Sequence, residues 1–206
     1  ATHEIVTGSP TRLIYHPKAL TLGVGGERGV GAEEMIALVE DTLARHGLAK
    51  ASLTAIASID LKEDEAAITA VSRHLGLPFR VFSADELNAQ APRLKTPSAV
   101  VMAEVGCPGV AEGAALAAAG PDSELIVAKT KSKRATCAVA LSPAPLSDLA
   151  GRARGTVSLV GLGPGDAVMR SPEASAALAR ATDWVGYGLY LDLAQDMKAS
   201  QTEHRF

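Results

Sequence analysis

The residue types best suited to chemistry are found in two short segments, each directly after a predicted strand. The first is the glycine-rich segment 23–29, in which Arg28 follows Glu27. Glycines after a strand let the backbone approach a ligand, and a guanidinium at that place can pair with a ligand carboxylate. We therefore take Gly25, Gly26 and Arg28 as candidate substrate-binding residues, and Glu27 as a candidate general acid or base.

The glycine pattern of this first segment also has two other interpretations. A nucleotide-binding loop of the Rossmann type is one, although the third glycine falls one place later than in G-x-G-x-x-G. Asp60 ends the next predicted strand but lies further away than the usual offset of ~20 residues for a ribose-binding acid. A tight turn between a strand and a helix explains so short a pattern about as well as a ligand site does.

The second segment, 58–65, contains five charged groups at the carboxyl end of a predicted strand. Open α/β sheets bind ligands at such ends. A cation in the first turn of a helix opposes the helix dipole, so Lys62 is a candidate ligand contact, with Asp60 and Glu65 as candidate acids or bases. The alternative is a solvated helix start in which Asp60 is the N-cap and forms a capping box with Glu63.

Two further segments contain charged residues that could contact a substrate. Glu112 lies in the predicted helix start at 109–112, and four cations occur within residues 129–134. We take Glu112, Lys129 and Lys131 as candidate substrate contacts, since such a basic run suits a ligand with many carboxylates. Glu112 also favours the helix dipole by itself, and a basic run is more often a solvated hairpin tip.

The remaining reactive residue types predict neither a metal site nor a catalytic triad. The five histidines are scattered, and Cys107 and Cys137 lie in apolar surroundings typical of buried free thiols. A net charge of −3 argues against a nucleic-acid partner. With no apolar run of the ~18 residues that span a bilayer and no secretory signal at the start, we expect a cytoplasmic protein without a membrane partner.

Strands that alternate with helices must position these groups. We predict strands at 19–24, 53–59, 79–82, 99–105, 125–128 and 135–141, and helices at 33–46, 60–75, 83–91 and 110–119. This order, with a hydrophobic fraction of 47%, predicts a three-layer α/β/α domain over 19–141 with a mixed, mostly parallel sheet. Because parallel strands place their carboxyl ends together, we expect segments 23–29, 58–65 and 109–112 to gather at one edge.

Both flanks of this domain differ from it in composition. Residues 1–18 form an irregular entry segment, and residues 142–155 form a linker rich in proline and small residues. The alternating pattern then restarts with a strand at 156–160, a glycine-proline loop, a helix that Ser171 caps, a strand at 184–185 and a short helix at 189–194. This pattern predicts that residues 155–206 form a truncated α/β segment, which is too short to bury a large core of its own.

Four stretches of the first domain carry a resemblance to a known family. In order, LGVGGERG at 22–29, ASIDLKEDE at 57–65, FSADELN at 82–88 and GVAEGAAL at 109–116 are similar to the serial motifs of the CobE/CbiG C-terminal family. The resemblance implies a role in cobalamin (vitamin B12) biosynthesis, with precorrin or cobalt-precorrin tetrapyrroles as ligands. Full-length relatives resemble a cobalt-precorrin-5A hydrolase that opens the ring-A lactone. The family usually has a cysteine where this chain has Gly26.

A second resemblance covers residues 155–206. VGLGPGD at 160–166 and VGYGLYL at 185–191 are similar to the start of a tetrapyrrole methylase of the precorrin-3B C17-methyltransferase type (CobJ/CbiH). In an intact methylase, Gly163, Pro164, Gly165 and Asp166 would line the cleft for S-adenosylmethionine. Because this stretch contains only a fraction of one lobe, we expect no cofactor in this chain and no methyl transfer by it.

Three functions therefore remain open at this point. The first is a domain that binds corrinoid intermediates for ring opening. The second is a nucleotide-binding enzyme of the Rossmann type, and the third is a non-catalytic scaffold that docks other enzymes of the pathway. The sequence does not separate the first function from the third, and it leaves homo-oligomerisation open.

Overall fold

The chain folds into two compact units, Ala1–Arg154 and Gly155–Phe206. The computed structural model describes residues 1–155 and 157–206. Within the described residues no single helix is long and apolar enough to cross a membrane, and one pair passes that test only jointly, with a bend of 76°.

The first unit is built on a mixed sheet, which confirms the predicted α/β class. Its strands are β1 (Leu20–Gly26), β2 (Leu53–Ile59), β3 (Phe79–Phe82), β4 (Glu124–Lys131), β5 (Ala135–Leu141) and β6 (Arg152–Ala153). In the described part of the chain their order across the sheet is β4-β5-β1-β2-β3-β6. The central strands β1, β2 and β3 are parallel to each other, and the remaining pairs are antiparallel.

Helices cover both faces of this sheet. They are α1 (Ala32–Arg45), α2 (Ala66–Leu75), α3 (Ala84–Asn88), α4 (Ala99–Val105) and α5 (Val110–Ala119). Side chains of β5 alternate between the faces, as the pleat of a strand requires. Cys137 and Val139 join the core beneath α1 and α2, whereas Ala138 and Ala140 pack with α5 on the other face. The three layers predicted from the sequence are therefore present.

Several local signals in the sequence are confirmed by the backbone. Gly76 ends α2 in the left-handed conformation, and Gly47 follows α1 with a φ of 63°. At α3, the Ser83 side chain accepts a hydrogen bond from the Glu86 backbone N–H. The Glu86 side chain in turn accepts one from the Ser83 backbone N–H, which completes the predicted capping box.

The strand predicted at 99–105 is wrong, because this segment is helix α4. Ser98 caps the helix by accepting a hydrogen bond from the Val101 backbone N–H, and Gly106 ends it with a φ of 76°. A mostly apolar segment of seven residues fits a strand or a helix equally well, so these two flanking residues decide the outcome. Val100 and Met102 remain exposed on the helix.

The capping box predicted at Asp60 is also wrong. Residues Asp60–Lys62 form a turn of 3₁₀-helix, and α2 begins only at Ala66, with Glu65 at the N-cap. Contacts from outside the segment shape this turn, since Arg28 donates a hydrogen bond to the Leu61 carbonyl. Local capping signals do not contain that information.

Two other predicted segments have different limits in the structure. Strand β4 extends to Lys131, so Lys129 and Lys131 belong to the strand and the hairpin tip is confined to 132–134. The segment 142–155, expected as a linker, contributes β6, which pairs with β3. Arg80 of β3 also donates hydrogen bonds to the carbonyls of Leu149 and Ala150.

The second unit is small and contains α6 (Pro172–Arg180), β7 (Asp183–Gly186), α7 (Gly188–Asp192) and β8 (Thr202–Arg205). Strand β8 was not predicted, and it pairs in parallel with β7. The core of the unit consists of Leu178, Trp184, Leu191 and Ala194. The Ser171 cap on α6 is confirmed by a 3.1 Å hydrogen bond from the Ala174 backbone N–H.

The strand predicted at 156–160 is not found over 157–160, and Thr156 lies outside the described residues. An isolated strand has no partners for its backbone groups, and the sheet of this unit consists of β7 and β8 in the described residues. Leu159 is accordingly 98% exposed.

Candidate functional site

The carboxyl ends of β1 and β2 bring the two main candidate segments into direct contact. The Nη1 atom of Arg28 lies 3.2 Å from Oδ1 of Asp64, and Nη2 donates a 2.8 Å hydrogen bond to the Leu61 carbonyl. Both charged side chains are well exposed, with 66% of Arg28 and 72% of Asp64 accessible. The guanidinium is thus held in place while one side of it stays open to a ligand.

Two partly sheltered groups contact the backbone on either side of Arg28. Glu65 is buried, and its Oε1 accepts a 3.2 Å hydrogen bond from the Gly29 backbone N–H. The ammonium of Lys62 donates a hydrogen bond to the Gly26 carbonyl. Burial lowers the pKa of Lys62 below its ordinary value, although the nearby Glu65 carboxylate opposes that shift.

The third predicted segment joins the same edge through helix α5. Gly25 lies so close to the helix start that a Cβ at this residue would be 3.5 Å from Cβ of Val110 and 2.9 Å from Oγ1 of Thr136. The buried Ser58 hydroxyl donates a 2.8 Å hydrogen bond to the Val24 carbonyl and so ties β2 to β1. The predicted gathering of the three segments is therefore confirmed by their contacts.

Arg134 is a member of this edge that the sequence did not single out. Its Nε donates a 2.9 Å hydrogen bond to Oε2 of Glu27, and Nη2 donates a 2.8 Å bond to the Arg28 carbonyl. Nη1 reaches the Gly29 carbonyl at 3.3 Å. The basic run at 129–134 was the available signal, but the sequence does not tell which of its cations would reach the loop.

The carboxylates of the edge differ in environment. Glu27 is 66% exposed and pairs with Arg134, whereas Glu65 is buried. Asp60 is half-buried at the end of β2, where its carbonyl accepts a hydrogen bond from the Glu63 backbone N–H. These three carboxylates remain the candidates for proton transfer, and their catalytic role stays a prediction.

Glu112 lies in α5 as predicted, but its carboxylate is fully engaged within the protein. It is 1% exposed and accepts hydrogen bonds of 2.8–3.0 Å from the backbone N–H groups of Lys95, Thr96 and Lys129 and from the Thr96 hydroxyl. Burial raises the pKa of Glu112, but these hydrogen bonds outweigh it, so the pKa lies below its ordinary value. The arrangement anchors the chain at 95–96 to β4.

The candidate lysines of β4 also lie apart from Arg28. The ammonium of Lys129 donates a 2.9 Å hydrogen bond to the Thr96 carbonyl, and Lys131 is exposed at the end of the strand. Among the described residues, no hydrogen bond or ion pair joins Glu112, Lys129 or Lys131 to Arg28. That these residues bind substrate stays a prediction.

Gly26 occupies the position where the resembled family usually has a cysteine. A Cβ at Gly26 would lie 3.0 Å from the Arg134 carbonyl, 3.2 Å from Cε of Met35 and 3.3 Å from Cγ1 of Val30. A side chain here would therefore point into the core beneath α1, and the backbone carbonyl of Gly26 is instead the group that Lys62 uses.

Neither cysteine of the chain is placed for thiolate chemistry. Cys107 and Cys137 are both 0% exposed, and burial raises the pKa of Cys137 to about 11 and also raises that of Cys107. Within the part of the chain that the structure describes, no three His, Cys, Asp or Glu side chains come together as metal ligands.

Residues 20–140 match the family model described as cobalamin synthesis G C-terminus. The chain belongs to this family. The matched residues contain the whole edge formed by Arg28, Lys62, Glu65 and Arg134, so the family match and the geometry concern the same part of the molecule.

Relatives named CobE extend the match. The chain is 48% identical over 127 residues to protein CobE of a Sinorhizobium species, a match that covers 62% of this chain and 82% of that protein. A crystal structure of a CobE protein from the cobalamin biosynthetic pathway superposes with a TM-score of 0.56 at 40% identity, and it covers 65% of this chain and 96% of the other. The α/β fold of the first unit is thus that of its relatives.

Two longer relatives match only in part. The chain is 37% identical over 131 residues to the cobalt-precorrin-5A hydrolase of Priestia megaterium. This match covers 64% of this chain but only 34% of the hydrolase. The chain is also 46% identical over 50 residues to the cobalamin biosynthesis protein CobIJ of Mycobacterium bovis. This match covers 24% of this chain and 10% of that protein. The chain therefore spans about a third and a tenth of these two proteins.

The glycine-proline loop of the second unit is exposed and its acid makes a local contact. Gly163 and Gly165 have φ values of 71° and 109°, which suit a backbone that approaches a ligand. Pro164 is exposed, and the Asp166 carboxylate accepts a 3.0 Å hydrogen bond from the Val168 backbone N–H. That these four residues bind S-adenosylmethionine in an intact methylase stays a prediction.

Proposed function

We propose that the first unit binds a precorrin or cobalt-precorrin intermediate at the edge formed by residues 23–29 and 58–65, in support of ring-A lactone opening. Membership of the cobalamin synthesis G family assigns the chain to cobalamin biosynthesis. The similarity to a cobalt-precorrin-5A hydrolase supports the lactone-opening step. Because the chain covers only a third of that hydrolase, the complete reaction is part of the proposal.

The observation that carries this proposal is the exposed guanidinium of Arg28. It is held by the Leu61 carbonyl and by Asp64, which fixes its direction while leaving it accessible. Precorrins carry many acetate and propionate groups, and a guanidinium binds a carboxylate through charge-assisted hydrogen bonds. The ammonium of Lys62 lies just behind this loop and supplies a second positive charge.

Any proton transfer at this edge falls to its carboxylates. Glu65 is buried beside the Gly29 backbone N–H, and Lys62 lies near enough to act on it electrostatically. A carboxylate that is sheltered and fixed by a hydrogen bond is well placed to act as a general acid or base, so Glu65 is our first candidate for this role. Asp60 and the more exposed Glu27 are the alternatives to Glu65 in this role.

A nucleotide is the weaker candidate ligand for the same edge. The helix that follows the glycine segment carries Glu33 and Glu34 in its first turn. Two negative charges at a helix N-terminus oppose the binding of a phosphate there. A scaffold that docks other pathway enzymes remains the non-catalytic form of the proposal, and homo-oligomerisation and a cytoplasmic location stay predictions.

A titration tests the binding proposal. We expect Arg28→Ala and Lys62→Ala each to weaken the binding of purified precorrin or cobalt-precorrin intermediates by ~1–3 kcal/mol. The absorbance of the tetrapyrrole monitors the titration. Arg45→Ala is the matched control for Arg28→Ala, since Arg45 is also an exposed arginine, and it pairs with Asp41 within α1. Unchanged affinity in both test variants, or tight binding of NAD or ATP instead, would overturn the proposal.

We also propose that residues 155–206 correspond to the start of a tetrapyrrole methylase. The support is the 50-residue similarity to CobIJ together with the two glycine motifs at 160–166 and 185–191. A cleft between two lobes needs more than this fraction of one lobe, so we expect no methyl transfer by the chain alone. Incorporation of a labelled methyl group from S-adenosylmethionine into a precorrin by this chain would contradict that expectation.

A further inference from the structure

We propose that Arg134 is a positioning residue, which fixes the loop Glu27–Gly29 and thereby directs Arg28 toward a carboxylate of the ligand. This inference rests on the proposed binding function. Arg134 lies more than a hundred positions after the loop in sequence, yet its guanidinium contacts three consecutive residues of it, Glu27, Arg28 and Gly29. A planar group with several fixed donors is well suited to hold a short loop in one conformation.

The backbone of Arg134 is itself held firmly. Oε1 of Glu34 accepts a 2.7 Å hydrogen bond from the Arg134 backbone N–H and a 2.5 Å bond from the Ser132 hydroxyl. The Glu27 backbone N–H donates a 2.9 Å bond to the Arg134 carbonyl. Helix α1 thus anchors the hairpin tip, and the tip anchors the loop through both backbone and side chain.

These contacts act on Arg28 in two ways. The guanidinium of Arg134 engages the Arg28 carbonyl, so the backbone that carries the ligand-facing side chain has little freedom. It also neutralises Glu27, whose carboxylate would otherwise be an unpaired negative charge next to Arg28 and would compete with a ligand carboxylate. Both effects disappear together when Arg134 is replaced.

The test uses the full chain and uroporphyrin, a tetrapyrrole with acetate and propionate side chains, in a fluorescence titration. We expect Arg134→Gln to raise the Kd about tenfold, the size of one lost charge-assisted hydrogen bond. In an Arg28→Ala background the same substitution should change the Kd by less than about twofold, because its effect passes through Arg28. Lys133→Gln is the matched control, since it removes the same charge one residue away and should change the Kd little.

Arg134→Lys separates geometry from charge. A lysine keeps the positive charge but not the fork of donors, so we expect an intermediate loss of about threefold to fivefold in affinity. This variant also serves if Arg134→Gln fails to fold, which thermal unfolding of each variant reports. Wild-type affinity in Arg134→Gln, or an equal loss in the wild-type and Arg28→Ala backgrounds, would overturn the inference. The proposed function fails separately, when the wild-type chain does not bind uroporphyrin or when Arg28→Ala binds it unchanged.

Discussion

The two glycine-rich loops of this chain look alike in sequence but differ in how the structure holds them. The segment 23–29 comprises the end of β1 and the loop that follows it, and it donates a hydrogen bond to the Glu65 carboxylate and accepts hydrogen bonds from the Lys62 ammonium and the Arg134 guanidinium. In the segment 161–166 the acid makes a local contact, since the Asp166 carboxylate caps a turn that begins one residue later, while Leu162 packs against the core of the second unit. A glycine motif therefore indicates a candidate ligand-binding loop. Hydrogen bonds from distant parts of the chain then show whether the loop is fixed in one conformation.

Packing separates the two loops in the same way. Gly23 lies directly beneath α5, so that a Cβ there would be 1.8 Å from the Ala111 carbonyl oxygen. Gly161, at the start of the second loop, has no heavy atom within 4 Å of the place where a Cβ would be. The first loop leaves a strand that supports a helix, whereas the second follows residues 157–160, which form no strand.

The largest expected effect comes from adding a methyl group to one glycine of each segment, Gly23 in β1 and Gly161 in the second unit. Gly23→Ala places Cβ inside the backbone of α5, which cannot move without disturbing the whole layer, so we expect a loss of at least ~3 kcal/mol in the free energy of unfolding. Gly161→Ala should change it by less than ~0.5 kcal/mol. Denaturant unfolding followed by circular dichroism measures both. Equal stability of the two variants would remove the contrast in packing between the loops.

Sequence signals were sufficient where structure is decided locally. The bounds of β2 and α5 and the capping box at Ser83 follow from short patterns of apolar residues and caps. The sequence failed at 99–105, where an apolar run fits two secondary structures, and at Asp60, where the neighbouring loop shapes the turn. At Asp60 the deciding contact comes from a loop distant in sequence, whereas at 99–105 the deciding signals are local and lie just outside the run, at Ser98 and Gly106.

The candidate site shows the same limit. The sequence predicted that three segments would meet, because parallel strands share an edge, and the contacts of Arg28 with 58–65 and the approach of Gly25 to Val110 confirm it. The sequence did not indicate which cations of the basic run at 129–134 would reach that edge. Lys129 turns to the Thr96 carbonyl, while Arg134 reaches the loop. Register and hairpin length settle this difference, and both depend on the complete sheet.

A second prediction compares a buried carboxylate of the first unit with an exposed one of the second. In the wild type, the Glu112 carboxylate accepts hydrogen bonds from several N–H groups. In Glu112→Gln, the NH2 group of the amide would face some of these donors and could not accept from them. We therefore expect a loss of ~2–4 kcal/mol in the free energy of unfolding. Asp166→Asn should cost less than ~0.5 kcal/mol, because asparagine caps a turn about as well as aspartate. Denaturant unfolding at neutral pH measures both losses.

The pH dependence of stability sharpens this comparison. The pKa of Glu112 is lower in the folded chain than its ordinary value, so the unfolded chain binds its proton more readily. The stabilisation is therefore complete above the unfolded pKa of ~4.3 and is lost as the pH falls through the lower folded pKa. We expect the difference between wild type and Glu112→Gln to shrink over that range. A constant difference from neutral to acidic pH would contradict the assigned role of the carboxylate.

The smallest expected effect concerns one helix cap in each unit. Ser83 takes part in a reciprocal capping box, whereas Ser171 accepts a single hydrogen bond from the Ala174 backbone N–H. We expect Ser83→Ala to cost ~1 kcal/mol and Ser171→Ala ~0.5 kcal/mol, since Pro172 already restricts the backbone at the start of α6. Hydrogen exchange of the α3 and α6 amides, measured by mass spectrometry, reports each loss where it occurs. A larger loss in α6 than in α3 would mean that the second unit depends on its local signals even more than its exposed loop indicates, because it has few tertiary contacts to compensate for a missing cap.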